Sequence, residues 1–163
     1  MIDLKPFANW LREKKLIKFI DTQDYLSKMQ QDTVLVVKVI IMKAGKILIL
    51  RDANTDYWDL PGGHIQEDET LEEGARREVK EEIGTEIDNL KELGVKEFQY
   101  GEKKRPTVVY TAELKDKNKD ISLSVEHFDF QWVYPGEYGQ YNLRSYLEIL
   151  DDFFFGNEND IAS

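Results

Sequence analysis

The chain has 163 residues and a 41% apolar fraction, enough to bury one ordinary core and cramped for two. Twenty-two basic against thirty-two acidic residues leave a net charge of −10, which excludes bulk attraction to nucleic acid or an anionic membrane and requires local help wherever an anionic substrate binds. There is no cysteine, so disulfides, thiolate catalysis and cysteine-held zinc are excluded, and any metal must sit on oxygen or on the two histidines.

The first residues, MIDLKPFANWLREKK, lack an apolar core followed by a small-residue cleavage site and do not read as a secretory signal. Phe7, Trp10, Leu11, Leu16, Ile17, Ile20, Tyr25, Leu26 and Met29 recur at three- and four-residue spacings, which predicts one or two short helices in an extension over residues 1–30. From Thr33 the pattern changes to β-branched runs, TVLVVKVIIMKAGKILILR, split by KAGK, and predicts two strands joined as a hairpin. The longest apolar run, residues 34–42, is broken by Lys38 and is too short to span a bilayer. The expectation is a cytoplasmic protein without membrane attachment.

DANTDYWDLPGG reads as a loop punctuated by Pro61, Gly62 and Gly63. Asp68 or Thr70 can cap a helix from Leu71 to Ile83 that stops at Gly84. Strands are expected at VKEFQY (95–100), TVVYTAEL (107–114) and FQWVY (130–134), and a helix within residues 142–155. The main domain thus covers residues 31–155, with a flexible tail over 156–163.

The stretch from Gly62 to Gly84 carries eight carboxylates. At about 100° per residue, Leu71, Ala75, Val79 and Ile83 form one apolar stripe, with Glu73 and Lys80 across from most of it. Glu78 and Glu82 fall on the rim of that stripe, with Glu81 further round on the same side. A like-charge pair four residues apart costs roughly 0.2–0.5 kcal/mol on an exposed helix and more as water is excluded. A positive partner is therefore expected there, and a hard divalent cation accepts oxygen ligands in such numbers.

Gly63, five residues, Glu69, seven residues and then REVKEEIG from Arg77 to Gly84 resemble the Nudix box, G-x5-E-x7-R-E-U-x-E-E-x-G-U, where U is bulky and apolar. Every fixed position matches, and only the last apolar place departs, being Thr85. The resemblance implies an α/β/α sandwich around a mixed sheet, preceded here by the N-terminal helical extension. It also implies hydrolysis of a nucleoside diphosphate linked to another group. Matched by position, Glu78 and Glu82 would hold Mg²⁺, for which Mn²⁺ can substitute, with Glu81 as a further ligand or the base and the Gly63 carbonyl as another ligand. Arg77 would orient the helix glutamates, and Glu69 would tie the preceding loop to the helix. Glu126, in EHFDFQW, is a further candidate ligand or base. Arg51 is a candidate phosphate contact, and Trp58 a candidate substrate contact beside the site.

FQYGEKKRPTVVYTAEL and SVEHFDFQW are also similar to the corresponding stretch of animal-type diadenosine tetraphosphate hydrolases. That likeness implies base stacking on Tyr100 and phosphate neutralisation by Lys103, Lys104 and Arg105. Those relatives carry PKGH where this chain has PGGH at 61–64, the form widespread among nucleoside triphosphate pyrophosphatases. The expected partner is a nucleotide-type small molecule, and a homodimer is compatible with the family. A Nudix-like nucleotide sensor or protein-binding module without catalysis is the alternative, but all three helix glutamates of the box are present.

Other chemistries fail on residue type. Asp52, Asn54 and Asp56 start like a calcium loop, but Tyr57 and Gly63 stand where that loop needs glycine and glutamate. No G-x4-G-K-[ST] phosphate loop and no G-x-S-x-G elbow occurs.

Overall fold

The β-branched runs on either side of KAGK form strands β1 (Val36–Lys43) and β2 (Lys46–Asp52). Ala44 and Gly45 turn between them with φ of 50° and 77°, the positive-φ pair that matches the twist of a two-residue hairpin. In the computed structural model, which describes residues 19–100, 102–143 and 146–155 without the side chains of Gln99, Tyr100, Leu147 and Phe155, this hairpin does not stay closed. Its strands pair only next to the turn, Met42 with Ile47 and Lys43 with Lys46. Further on they part: β1 takes β4 (Gly62–His64) as partner, and β2 takes β3 (Trp58–Asp59). The expected loop is thus threaded as two short strands into the fork, fastened by the Val39 N–H donating to the Pro61 carbonyl at 2.8 Å.

The sheet is completed by β5 (Ile87–Tyr100), β6 (Lys103–Leu114) and β7 (His127–Val133). β1 runs parallel to β6 and every other pairing is antiparallel, so the sheet is mixed as expected. β5 begins at Ile87, eight residues before the expected start. Asn89 and Gly94 adopt φ of 54° and 137°, and the register against β6 shifts across Asn89 and again just before Gly94, which hides the two-residue alternation from the sequence.

Three helices complete the described fold: α1 (Thr22–Lys28), α2 (Leu71–Ile83) and α3 (Tyr146–Phe155). α2 starts at a capping box in which Thr70, rather than Asp68, accepts from the Glu73 N–H while Glu73 reaches back to the Thr70 N–H. It ends at Gly84, whose φ of 71° allows the left-handed cap. Ala75, Val79 and Ile83 are fully buried with Leu48, Leu50 and Val108 on one sheet face, and the valine and isoleucine side chains contribute about 1.5–3 kcal/mol each by their burial. Ile149, Leu150 and Phe153 of α3 cover the other face with Ile40 and Ile49. The result is an α/β/α sandwich. α1 lies along β5, where Ile20 bridges to Val95 and the Tyr25 hydroxyl donates to Glu97 at 2.8 Å.

Among the described residues no helix is long and apolar enough to cross a membrane. Trp10, in the N-terminal extension, and the tail over 156–163 lie outside the described residues.

Candidate active site

α2 brings its acidic rim against the PGG turn. Gly62 has a φ of 145°, and a Cβ there would meet the Val37 carbonyl oxygen at 2.0 Å. A Cβ on Gly63 would meet the Glu78 carboxylate at 2.5–2.7 Å. Two glycines are needed so that main chain and carboxylates can touch. The Gly62 N–H donates to Glu82 Oε1 at 2.9 Å, and the Glu78 carboxylate rests on Gly63.

Arg77 spends its planar fork on the same turn. Nε and Nη2 pair with both oxygens of Glu69 at 2.9 and 2.7 Å, Nη1 reaches Glu78 at 3.0 Å and Glu81 at 3.2 Å, and Nη2 also donates to the His64 carbonyl at 3.0 Å. A side chain with five donors in a fixed plane is suited to such a junction. The hydrogen bonds from Arg77 and from the Gln66 N–H hold the Glu69 carboxyl down to about 2.

Glu82 lies deeper, 3% exposed. Burial pushes its carboxyl up to about 8, and Asp59 and Glu78 add to the rise against the opposing pull of Lys38 and the Gly62 N–H. Lys38 is buried in the fork with its Nζ donating to Asp59 Oδ2 at 2.9 Å and to the Leu60 carbonyl at 3.1 Å, 4.9 Å from the centre of the Tyr146 ring. Burial alone would lower its pKa, but Asp59, Tyr146 and Glu82 together outweigh it and keep Lys38 charged. His127 Nε2 approaches Glu82 Oε2 at 3.6 Å from the other side.

The expected residues do not all meet. Gly63, Arg77, Glu78, Glu81 and Glu82 form one cluster through the bonds above, with Glu81 on its solvent side. Glu126 stands exposed on the loop that enters β7, its carbonyl fixed by the Ala53 N–H at 2.8 Å, one residue from His127. Trp58 is half-buried, edge-on to Tyr141 at 5.1 Å, and also lines a cavity of about 240 Å³ with Lys38, Asp59, Gly63 and Tyr146. Arg51 pairs with the exposed Asp56 at 2.9 Å and lies 4.6 Å from the centre of the Phe128 ring. Lys103, Lys104 and Arg105 line a groove of about 960 Å³ that also reaches Tyr25 and shares His64 and Arg105 with the smaller cavity, with Lys104 paired to Glu97 at 3.3 Å. The Tyr100 side chain lies outside the described residues.

Lys38, Asp59 and His127 belong to the cluster without having been expected there. Lys38 did carry a signal: it is the one charge interrupting the apolar run VLVVKVIIM, and a lysine inside a strand with a buried period needs a buried partner. Asp59 and His127 carried none.

The donor set consists of carboxylates and main-chain carbonyls, the chemistry of hard cations. As the side chains stand, no three acids or histidines among the described residues converge on one point, because Arg77 holds Glu78 and Glu81 while Gly62 holds Glu82. The buried, elevated Glu82 carboxyl beside Glu78 nevertheless fits a divalent ion, whose charge would offset the burial that opposes its ionised form.

A NUDIX domain model matches residues 29–152. The chain is a Nudix hydrolase. It is 31% identical to a MutT-like protein of Streptomyces ambofaciens over 134 residues, 78% of this chain and 84% of that one. A shorter stretch of 91 residues, 53% of this chain and 62% of the relative, is 36% identical to the asymmetrical bis(5'-nucleosyl)-tetraphosphatase of Mus musculus. Among solved structures, the MutT protein of Methanosarcina mazei Go1 superposes with a TM-score of 0.65 at 30% identity, over 80% of this Nudix hydrolase and 99% of that chain.

Proposed function

We propose that this Nudix hydrolase is a divalent-metal-dependent pyrophosphohydrolase acting on a nucleotide substrate, either a dinucleoside polyphosphate or a nucleoside triphosphate. The observation that carries this reading is Glu82, a carboxylate 3% exposed and pressed toward Glu78 on a double-glycine turn. Such a group is costly in the ionised form unless a cation meets it. The similarity to the mouse tetraphosphatase supports a nucleotide, and the oxygen-only donor set supports Mg²⁺ over softer metals.

In this reading Glu78, Glu82 and the Gly63 carbonyl hold the metal, with Glu81 completing the set. Bound there, Mg²⁺ would neutralise phosphate charge and lower the pKa of a bound water. Arg77 keeps the glutamates on the turn through its bonds to Glu69 and His64. Glu126 accepts the proton of the attacking water, since among the described residues its carboxylate carries no ion pair, whereas Glu81 is shared with Arg77. The water oxygen bonds to phosphorus, the bridging P–O bond breaks, and the second phosphate departs with the bridging oxygen. Lys103 and Lys104 offer charge to the departing side of a long phosphate chain. Tyr100, Trp58 and Arg51 are the proposed contacts to the remainder of the substrate.

The test is a nucleotide panel incubated with and without Mg²⁺ in ¹⁸O-labelled water, with products identified by mass spectrometry. Label is expected in one phosphate product, only with metal, and Glu82→Gln should cost several orders of magnitude in turnover while the protein stays folded. Binding of nucleotides without turnover of any would overturn the proposal in favour of a sensor.

A further inference from the structure

His127 is an expensive residue where it stands. The ring is 9% exposed and its Nδ1 is buried without a hydrogen-bond partner, a defect worth about 1–3 kcal/mol. An aliphatic side chain would fill the same space without that cost. What the imidazole has instead is Glu82 Oε2, 3.6 Å from Nε2.

The chain also goes out of its way to aim it. β7 pairs with β2 in regular alternation up to Asp129 opposite Arg51, and then His127 stands opposite Asp52, so Phe128 is an extra, bulged residue. Phe130 and Trp132 pack with the α2 cluster. Without the bulge the next side chain on that face would be Phe128; with it, His127 takes the inward position and Phe128 is turned to solvent, 54% exposed. Bulges are found where one side chain must be re-aimed. The approach is fixed from the helix as well, because the Ser122 N–H donates to the Ile83 carbonyl and the Ser124 N–H to the Glu82 carbonyl, both at 3.0 Å. The loop that delivers His127 is thus bonded to the main chain of the glutamate it faces.

We infer that His127 is a positioning residue for the metal site: its Nε2–H orients Glu82 Oε2 as the Gly62 N–H orients Oε1, so that the carboxylate is held from both oxygens. This inference rests on Glu82 being a metal ligand. At 3.6 Å the contact is longer than a hydrogen bond, and such contacts tighten when the charge they serve is completed. Outer partners of this kind change metal affinity by about 10–100-fold when removed.

The experiment measures Mn²⁺ binding by electron paramagnetic resonance on the full chain, with thermal unfolding of the metal-free protein alongside. Glutamine places its amide nitrogen near the Nε2 position and asparagine near Nδ1. His127→Gln should bind Mn²⁺ close to the wild-type affinity, whereas His127→Asn and His127→Leu should lose about tenfold or more. His127→Leu should unfold at or above the wild-type temperature, because the orphan Nδ1 is gone. Equal Mn²⁺ affinity in the glutamine and asparagine variants would overturn the inference, and that pair decides it even where the leucine variant fails to fold. A wild-type protein that binds no Mn²⁺ would instead overturn the metal reading itself. Wild-type binding that is lost in Glu82→Gln but indifferent to residue 127 would leave the metal site standing and remove only His127 from it.

Discussion

Among the described residues two lysines are buried, Lys38 at 5% exposure and Lys96 at 6%, and their surroundings look alike until the second carboxylate is considered. Lys38 pairs with Asp59 below the Tyr146 ring, and Lys96 pairs with Asp152 near the Phe19 ring. Each feels a further acid. For Lys96 it is Glu148, which bonds at 3.1 Å and is 64% exposed on its side chain, so water can carry its charge. For Lys38 it is the buried Glu82. Lys38 thus bonds to Asp59, whose side chain is 31% exposed, while Glu82, 3% exposed, has neither solvent nor, among the described residues, an ion-paired lysine or arginine to meet its charge. The same residue types make a fastening between β5 and α3 in one place and an incomplete charge balance in the other. An enzyme that recruits metal needs the second arrangement, because a site fully neutralised by its own side chains has nothing to gain from an ion.

Substituting the two lysines sharpens this contrast most. Lys96→Met and Lys38→Met should each cost about 3–5 kcal/mol, because each strands a carboxylate from its buried cation; urea unfolding checks it. Activity per folded molecule should survive at Lys96 and fall at Lys38, and equal losses at both sites would break the comparison.

The pH dependence of the metal-free protein comes next. Glu82 keeps its proton in the folded protein up to about 8 and loses it near the ordinary carboxylate value when unfolded. Between those values the native state binds the extra proton, so Glu82 makes stability fall as pH rises from about 4.5 to 8, by about 4 kcal/mol. Unfolding curves at pH 5 and pH 8 should show that loss; Mg²⁺ should restore it at pH 8, and Glu82→Gln should abolish it.

Arg77→Lys should reduce kcat by about tenfold or more, since a single ammonium cannot replace the fork that joins Glu69, Glu78, Glu81 and the His64 carbonyl. Activity measured across Mg²⁺ concentrations would show whether added metal recovers it. The smallest effect is expected at the far end of the same helix. Thr70→Ala removes the capping box and should cost about 1 kcal/mol in unfolding free energy, with turnover unchanged.

The helix and its chemistry were legible in the chain because both are local. The spacing of Leu71, Ala75, Val79 and Ile83 sets a face, Glu78 and Glu82 must then lie on its rim, and Gly84 must end it; these follow from a single helical repeat. The hairpin was legible for the same reason. The 57–64 segment was not, since two- and three-residue strands carry no period and exist only because β1 and β2 part to receive them. Nor could the place of Arg51 in the chain, beside the loop, show its pairing with Asp56 and the Phe128 ring.

By itself the sequence determined the acidic rim, carried by spacings within about twenty residues, and, through the family resemblance those spacings carry, the mixed α/β architecture. Only the tertiary structure decided how deep Glu82 sits, that Lys38 and Asp59 share its pocket, and that a bulge turns His127 inward. Burial and charge balance are sums over neighbours far apart along the chain, and no local pattern of residues contains those sums.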